Sequence, residues 1–180
     1  MLRTRKQISK KKEQATIDPY YTRASGGLRR ENCFAFAVGM RGGVIGIKPQ
    51  PGEVSGMPAM KGTPTCRDLT RRALKDLGTQ GRRKPKRGEC AAHEDEIAMQ
   101  IDDSGRQRDY HFLLRRAGDK LWSHKRGLGT PSRFDACGKE IADPSHMCAD
   151  WGGGLNYARQ CPTRICFKRD SKHPLRPALP

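Results

Sequence analysis

Two side chains of this chain could together attack a carbonyl group: a cysteine that begins an apolar stretch and a histidine in a later strand-like segment. Cys33 directly follows Asn32, and His111 lies between two aromatic residues. A cysteine nucleophile reacts as its thiolate, which a helix N-terminus or a nearby imidazolium favours. It also needs a histidine within hydrogen-bond reach, held in place by a third polar group. The sequence therefore predicts Cys33 and His111 as a reactive pair. The alternative is that Cys33 is a small buried residue, as most free cysteines are.

Three residues could hold His111 as the third member of such a site. His124 lies one predicted strand further on and could sit beside His111 across the sheet. Asp135 and Asp143 follow in predicted turns. We rank His124 first and Asp135 second. The simpler readings are a surface position at a strand end for His124 and ordinary turn chemistry for the two aspartates.

The elements that must position these residues begin with two helices. Residues 32–40 are apolar and compatible with a helix, with Asn32 as its N-cap and a Gly-Gly pair soon afterwards to end it. A second helix is predicted to start after Thr65, which forms a capping box with Asp68. Its apolar side chains recur on one face, and Gly78 is expected to end it.

A run of antiparallel strands follows the helices. Strands are predicted at 95–102, 109–116 and 121–125, with short turns between them that contain glycine. Residues 79–90 form an exposed basic loop, and the chain from Arg126 onward is rich in turns. Two helices followed by a meander indicate an α+β fold, because alternating strands and helices would be needed for a parallel sheet.

The length and charge of the chain limit its organisation and its partners. Its 180 residues suit one compact domain with tails, so we predict a basic N-terminal tail at 1–16, one domain at 17–167 and a Pro-rich basic tail at 168–180. Lys and Arg number 36 against 19 acidic residues, a net charge of +17. A field of this sign attracts polyanions.

The basic clusters favour one type of acidic partner over another. Those at 3–12 and 82–87 contain no aromatic residue. Readers of single-stranded nucleic acid usually stack bases on aromatic side chains, so these clusters predict docking on an acidic surface, such as capsid proteins or a nucleic-acid backbone. No apolar run approaches the ~20 residues that span a bilayer. Met1–Gln14 lacks the apolar segment of a secretory signal, which predicts synthesis in the cytoplasm, with packaging in a virion as one destination.

The chain has seven cysteines, an odd number, so at least one thiol stays unpaired if the others form disulfides. We expect free or metal-bound thiols rather than a disulfide framework. His146, Cys148, Cys161 and Cys166 could form a Cys3His zinc site, although their spacing lacks the usual Cys-x2-Cys pair. Cys161 and Cys166 could instead form a disulfide or simply be buried. Zinc is the weaker hypothesis, and no cofactor is predicted.

Several segments resemble one superfamily of hydrolases. The block from Asn32 to Gly39 (NCFAFAVG) resembles the nucleophile helix of the NlpC/P60 and CHAP branches of papain-like peptidases and amidases. The segments 109–112 (DYHF) and 122–125 (WSHK) also resemble an uncharacterised group found in bacteria and large DNA viruses. The resemblance covers roughly residues 30–166. It implies a papain-like core in which the nucleophile helix packs on an antiparallel meander, with His124 as the polar orienter.

The resemblance also implies an activity. Cys33 would attack the carbonyl of a peptide or isopeptide bond, and His111 would take the thiol proton and later protonate the leaving amine. The backbone N–H of Cys33 would bind the oxyanion together with one more donor. Papain-like proteases usually place a Gln just upstream for this purpose, and this chain has Arg29-Arg30-Glu31-Asn32 there. Asn32 is therefore the candidate donor, in competition with its role as N-cap.

A second hypothesis comes from another class of protein. The high charge and the basic tails also suit a non-catalytic structural protein of a large assembly, such as a virion or a ribonucleoprotein, built on the same fold. A fold does not fix a function. A protein or peptide substrate is expected under the first hypothesis and an acidic assembly partner under the second.

Overall fold

The structure, a computed structural model, describes five stretches of the chain: residues 31–41, 48–102, 109–127, 129–152 and 156–170. The N-terminal tail predicted at 1–16 lies outside these residues, as does most of the tail predicted at 168–180. Among the described residues, no helix is both long and apolar enough to cross a lipid bilayer.

The first helix, α1, spans Cys33–Val38 and begins as predicted. Asn32 is its N-cap, and the side-chain oxygen of Asn32 accepts a hydrogen bond from the backbone N–H of Ala35 at 3.1 Å. The helix ends at Gly39, before the glycine pair that the sequence indicated. Gly39 has φ 72°, a left-handed conformation that favours glycine and lets its N–H close the last turn. Every side chain of α1 is buried.

The second helix, α2, spans Cys66–Leu77, with Thr65 as N-cap and Gly78 as C-cap, as predicted. Thr65 Oγ1 accepts from the Asp68 backbone N–H at 3.1 Å. The Asp68 carboxylate accepts a hydrogen bond from Arg72 Nε at 2.7 Å, one turn further along the helix. The predicted apolar face is the face that packs on the sheet, since Leu69, Ala73 and Leu77 are buried.

Seven strands form one sheet in the order β1-β7-β2-β3-β4-β5, in which every pair is antiparallel, and β6 pairs with β2 beside this path. The strands are β1 Gly81–Arg83, β2 Asp95–Ile101, β3 Tyr110–Arg115, β4 Ser123–Lys125, β5 Pro131–Ser132, β6 Arg159–Gln160 and β7 Ile165–Phe167. The α+β class and the predicted meander, β2 to β4, are therefore confirmed.

The remaining strands were not predicted. β1 lies within 79–90, which the sequence indicated as an exposed loop, and β5, β6 and β7 lie in the region after Arg126 that was expected to be rich in turns. Each has two or three residues, and β1 pairs with β7 from the far end of the chain. Strands this short carry no readable alternation, because their stability comes from the neighbouring strand and not from their own residue pattern.

The sheet is covered on both faces. The larger core packs α1 and α2 against Ile97, Met99, Phe112 and Leu114, which share one face because side chains alternate along a strand. Phe34 of α1 contacts Phe112 edge-on, with ring centroids 5.2 Å apart. A smaller cluster of Ala98, Leu113, Trp122 and Ile141 covers the other face. β2 is therefore buried along its whole length.

Six of the seven cysteines form disulfides, which the sequence interpretation did not expect. The pairs are Cys66–Cys161, Cys90–Cys166 and Cys137–Cys148, and Cys33 is the free cysteine. The first two tie α2 and the β1–β2 connection to the segment around β7. The expectation of free or metal-bound thiols is wrong because packing brings residues far apart in sequence to Cα distances of 5.3 Å and 5.4 Å, which suit a disulfide.

The pairing also removes the zinc hypothesis. Cys148, Cys161 and Cys166 each belong to a different disulfide, so none of them offers a thiolate to a metal. The alternative disulfide between Cys161 and Cys166 is wrong for the same reason. His146, the fourth candidate ligand, is exposed and lies 3.3 Å from the Asp143 carboxylate.

Candidate active site

Cys33 lies at the first position of α1, over the backbone of β3. Its Sγ is 3.9 Å from the carbonyl oxygen of Tyr110, and the residue is 7% exposed. Burial raises the pKa of the Cys33 thiol to about 12, while a backbone hydrogen bond from Phe112 and the charge of Lys125 act in the opposite direction. The resting residue is therefore a neutral thiol at neutral pH.

His111 and His124 contact each other on the face of the sheet opposite α1. Leu113 of β3 pairs with His124 of β4, so His111, two residues before Leu113, is the diagonal neighbour of His124. His111 Nε2 lies 2.8 Å from His124 Nδ1, and both side chains are buried. The structure thus brings together His111 and the residue ranked first as its partner.

The hydrogen bonds of this pair fix which nitrogens carry protons. His124 Nε2 lies 3.0 Å from the carbonyl oxygen of Phe134, which can only accept, so Nε2 of His124 carries the proton. His124 Nδ1 is then an acceptor, and His111 must donate to it through Nε2–H. In a neutral His111, Nδ1 therefore keeps its lone pair and can act as a base.

Both imidazoles are neutral at neutral pH. Burial lowers the pKa of His111 well below 6.5, and electrostatic repulsion from Arg126 and from a protonated His124 would lower it further. Burial likewise lowers the pKa of His124 to about 4, against a smaller opposite effect of the hydrogen bond to Phe134. The neutral state of both rings agrees with the proton positions that the hydrogen bonds require.

Cys33 and His111 both line one cavity of about 480 Å³. Cys33 approaches it from the α1 side of β3, and His111 approaches it from the other side. Both lie at the start of β3, where the ladder with β4 has not yet begun, since it begins at Leu113, and where Arg126, Gly127 and Gly129 also line the cavity. The cavity is lined by Asn32, Cys33, Lys48, Gln50, Asp109, Tyr110, His111, Arg126, Gly127, Gly129 and Tyr157.

Two tyrosines line this cavity, and a tryptophan packs against residues behind it. Tyr157 stacks on the His111 ring at 5.2 Å and donates through its hydroxyl to Asp109 at 2.7 Å. The Tyr110 hydroxyl donates to the Gln50 side chain at 2.5 Å. Trp151 contacts His124 and carries the Arg126 guanidinium over its ring at 4.2 Å. The rings leave His111 little freedom to rotate, which keeps Nδ1 in one place.

Asn32 lines the cavity, but both ends of its side chain hold backbone groups. Its oxygen caps α1, and its Nδ2 donates to the carbonyl oxygen of Pro49 at 2.8 Å. The N-cap role is therefore observed, and the oxyanion role stays a prediction. The backbone N–H of Cys33 belongs to the first turn of α1, where N–H groups have no partner within the helix.

The two aspartates considered as partners of His111 perform other tasks. Asp135 accepts hydrogen bonds from the backbone N–H groups of Cys137, Lys139 and Cys148 at 2.8–3.0 Å. These bonds stabilise the turns around it. Asp143 accepts from Ser145 and pairs with Arg164 at 3.1 Å. Asp135 nevertheless fixes the turn that directly follows Phe134, whose carbonyl orients His124.

We expect Asp135→Ala to lower the free energy of unfolding by about 2–3 kcal/mol, because it leaves three backbone N–H groups without their charged acceptor. Urea unfolding followed by circular dichroism measures this loss. Glu140→Gln, at an exposed position nearby, is the control and should change stability by less than about 0.5 kcal/mol. A loss below that value in Asp135→Ala would contradict the anchoring role.

Sequence reasoning missed several residues of the site. Tyr157 lies in a turn-rich region with no pattern that marks it, and Arg126 follows a strand end like many solvated arginines. The backbone carbonyl of Phe134 has no sequence signal at all. Only the two aromatic residues Trp151 and Tyr157, close together in a glycine-rich segment, could have suggested a covered surface.

Comparisons with known proteins found no match: no protein-family model, no curated protein and no solved structure matches this chain. The geometry of the site itself therefore carries the functional conclusion.

Proposed function

We propose that this protein is a cysteine peptidase or amidase with a papain-like core. The observation that carries the proposal is the relay of hydrogen bonds from the Phe134 carbonyl through His124 to His111. This relay leaves His111 Nδ1 as an unprotonated base in a residue that shares a cavity with Cys33, the free cysteine.

The arrangement of elements supports the papain-like part of the proposal. The nucleophile begins a helix that packs on an antiparallel sheet, the base lies on β3, and its orienter lies on the neighbouring β4. This is the order in which the resemblance to the NlpC/P60 branch would place them.

The chemistry follows from these positions. As a carbonyl carbon approaches, Cys33 Sγ forms a bond to it while its proton passes to His111 Nδ1. The oxyanion that forms is stabilised by backbone N–H, with Cys33 N–H as the first candidate. His111 then returns the proton to the leaving nitrogen as the C–N bond breaks, and a thioester remains. Water, deprotonated by His111 Nδ1, attacks the thioester and releases the acid and the thiol.

His124 stabilises the charged intermediate. While His111 carries both protons, its Nε2–H donates to the lone pair on His124 Nδ1, which is held in place by the bond to Phe134. The raised pKa of the Cys33 thiol and the lowered pKa of His111 mean that the proton moves during attack and not before it. The resting pair is neutral, unlike a preformed thiolate–imidazolium ion pair.

One observation favours the second candidate, a non-catalytic basic protein of a large assembly. Cys33 is 7% exposed, a burial typical of a packing cysteine. The net charge of +17 suits an acidic partner under either proposal.

A thiol-directed electrophile tests the proposal without knowledge of the substrate. With the disulfides intact, iodoacetamide should label Cys33 alone, as determined by peptide mass spectrometry. His111→Gln should slow labelling at neutral pH at least tenfold, because the thiol loses its base. His146→Gln, an exposed histidine whose side chain is 85% accessible, is the matched control. Equal labelling rates in the wild type and in His111→Gln would reject the catalytic pair and leave the basic structural protein.

A further inference from the structure

A lysine is buried on the same side of the sheet as the nucleophile. Lys125, the last residue of β4, has 0% exposure. Its neighbour His124 points to the other face, so Lys125 points towards α1. A buried ammonium is costly unless acceptors or opposite charges surround it, so its position needs an explanation.

The Lys125 ammonium joins the start of the nucleophile helix to the rim of the cavity. Lys125 Nζ donates to the carbonyl oxygen of Glu31 at 2.6 Å and also to the carbonyl oxygen of Gly127. Glu31 is two residues before Cys33, and Gly127 lines the cavity. One side chain therefore fixes the distance between the nucleophile and the opposite wall.

Charged and titratable groups on both sides of this pair bear on it, among the residues that the structure describes. The charge of Lys125 favours the Cys33 thiolate, whereas the Asp109 carboxylate opposes it. Burial lowers the pKa of Lys125 to about 8, Glu31 and Cys33 act against this shift, and Lys48 adds to it. The phenols near the thiol are those of Tyr110 and Tyr157, whose pKa burial raises, so they stay neutral. Lys125 is thus a cation near the Cys33 thiol, and its ammonium is held inside the core by hydrogen bonds.

We propose that Lys125 is a positioning residue for the reaction of Cys33: its buried ammonium holds the start of α1 at the cavity rim and favours the thiolate as it forms. The inference rests on the proposed function, because it assigns Lys125 to the same site. Since Lys125 and the thiolate stabilise each other, removing the charge should make the thiol harder to ionise.

Three substitutions separate the charge of Lys125 from its hydrogen bonds. Lys125→Arg keeps the charge and the donors, Lys125→Gln keeps a donor without the charge, and Lys125→Met removes both. Lys120→Gln, at an exposed position in the β3–β4 turn, is the matched control. A purely structural role predicts that Gln behaves like Arg, whereas the proposed role predicts that Gln behaves like Met.

The measurement is the rate of Cys33 alkylation by iodoacetamide from about pH 6 to about pH 9. It is made in the His111→Gln background, so that the thiolate fraction, which rises tenfold per pH unit in this range, sets the rate without help from the base. We expect the added Lys125→Gln to move the profile about half a pH unit upward. At fixed pH the rate should fall about threefold, because a thiol about one pKa unit more basic forms tenfold less thiolate, while each thiolate is about threefold more nucleophilic. Lys125→Arg should keep most of the rate. A Lys125→Gln profile that matches its parent at every pH would overturn the proposal.

The His111→Gln parent offers a second measurement that needs no change at Lys125. Above about pH 8 Lys125 loses its proton, which raises the thiol pKa, so the alkylation rate should increase less steeply there than below. A uniform tenfold increase per pH unit through this range would count against Lys125. The wild-type profile separates the two proposals. If His111→Gln alone has no effect and Lys125→Gln does, only the catalytic pair fails; if His111→Gln slows labelling and Lys125→Gln adds nothing, only the role of Lys125 fails.

Discussion

Replacement of His111 by Gln should lower the rate of amide hydrolysis by about 10³-fold, the usual contribution of a general base that also acts as the general acid. Gln fills a similar space and keeps polar atoms, but it cannot take a proton from the Cys33 thiol at neutral pH. Because the pKa of that thiol is raised to about 12, few thiolates form without a base. Under the proposed mechanism, the wild type gains its reactivity from proton transfer within the cavity.

Replacement of His124 should also lower the rate of amide hydrolysis, by a smaller factor. In His124→Phe, nothing accepts from His111 Nε2–H, so the His111 proton can shift to Nδ1 and block the base. We expect about a 10²-fold lower kcat with little change in KM, since His124 lies behind His111. His124→Gln, which can still accept at that position, should retain more activity than His124→Phe.

Cleavage of a peptide library, followed by mass spectrometry, finds a substrate and then gives the rates. Because burial keeps the pKa of both imidazoles below 6.5, the wild-type rate should stay level from about pH 7.5 down to about pH 6. Cys33→Ala is the blank and His146→Gln the matched control. Activity within tenfold of wild type in His111→Gln would reject the mechanism.

Removal of the two disulfides around β7 should cost about 8 kcal/mol of stability when both are lost, but much less for either one alone. Cys66–Cys161 spans 95 residues and Cys90–Cys166 spans 76. With one of them in place, the other closes a ring of only about 30 residues, from 66 to 90 and from 161 to 166. The first loss therefore costs about 3.5 kcal/mol and the second about 4.5 kcal/mol, by loop entropy.

A loss of that size is comparable with the whole net stability of a small domain, typically 5–15 kcal/mol. The double-pair variant Cys66→Ala, Cys161→Ala, Cys90→Ala and Cys166→Ala should accordingly be largely unfolded at 37 °C. Urea unfolding of the two single-pair variants and of the double-pair variant measures the effect. The pair Cys137–Cys148, which spans only 11 residues, is the control and should cost about 3 kcal/mol or less. If the double-pair variant lost only a small free energy of unfolding, equal to the sum of the two single-pair losses, the loop-entropy explanation would be contradicted.

Local signals made the elements around Cys33 predictable. Asn32 and Thr65 have short polar side chains that cap helices, and Gly78 ends α2, as the sequence indicated. Caps act within three or four residues, so they can be read without knowledge of the fold. The alternation of β2 and β3 is equally local, and it placed His111 on a strand after the helices.

Long-range pairing decided what the sequence left open. The sequence could only rank His124 over Asp135 as the partner of His111. The register of β3 on β4 places the two imidazoles at 2.8 Å, and Asp135 bonds within its own loop. The disulfides were interpreted wrongly because cysteine spacing says nothing about which residues the sheet brings within reach. β1 and β7 escaped prediction for the same reason, since each depends on the other.

By itself, the sequence determined the types of the candidate reactive groups, the two capped helices, the central meander and the strong positive charge. Those features follow from chemistry within a few residues of the chain. The tertiary structure alone decided that Cys33 and His111 share a cavity, which nitrogen of His111 carries the proton, and that Lys125 is buried on the same side of the sheet as Cys33. These facts depend on strand register and on the sidedness of β3 and β4, where a shift of one residue would move every side chain to the other face.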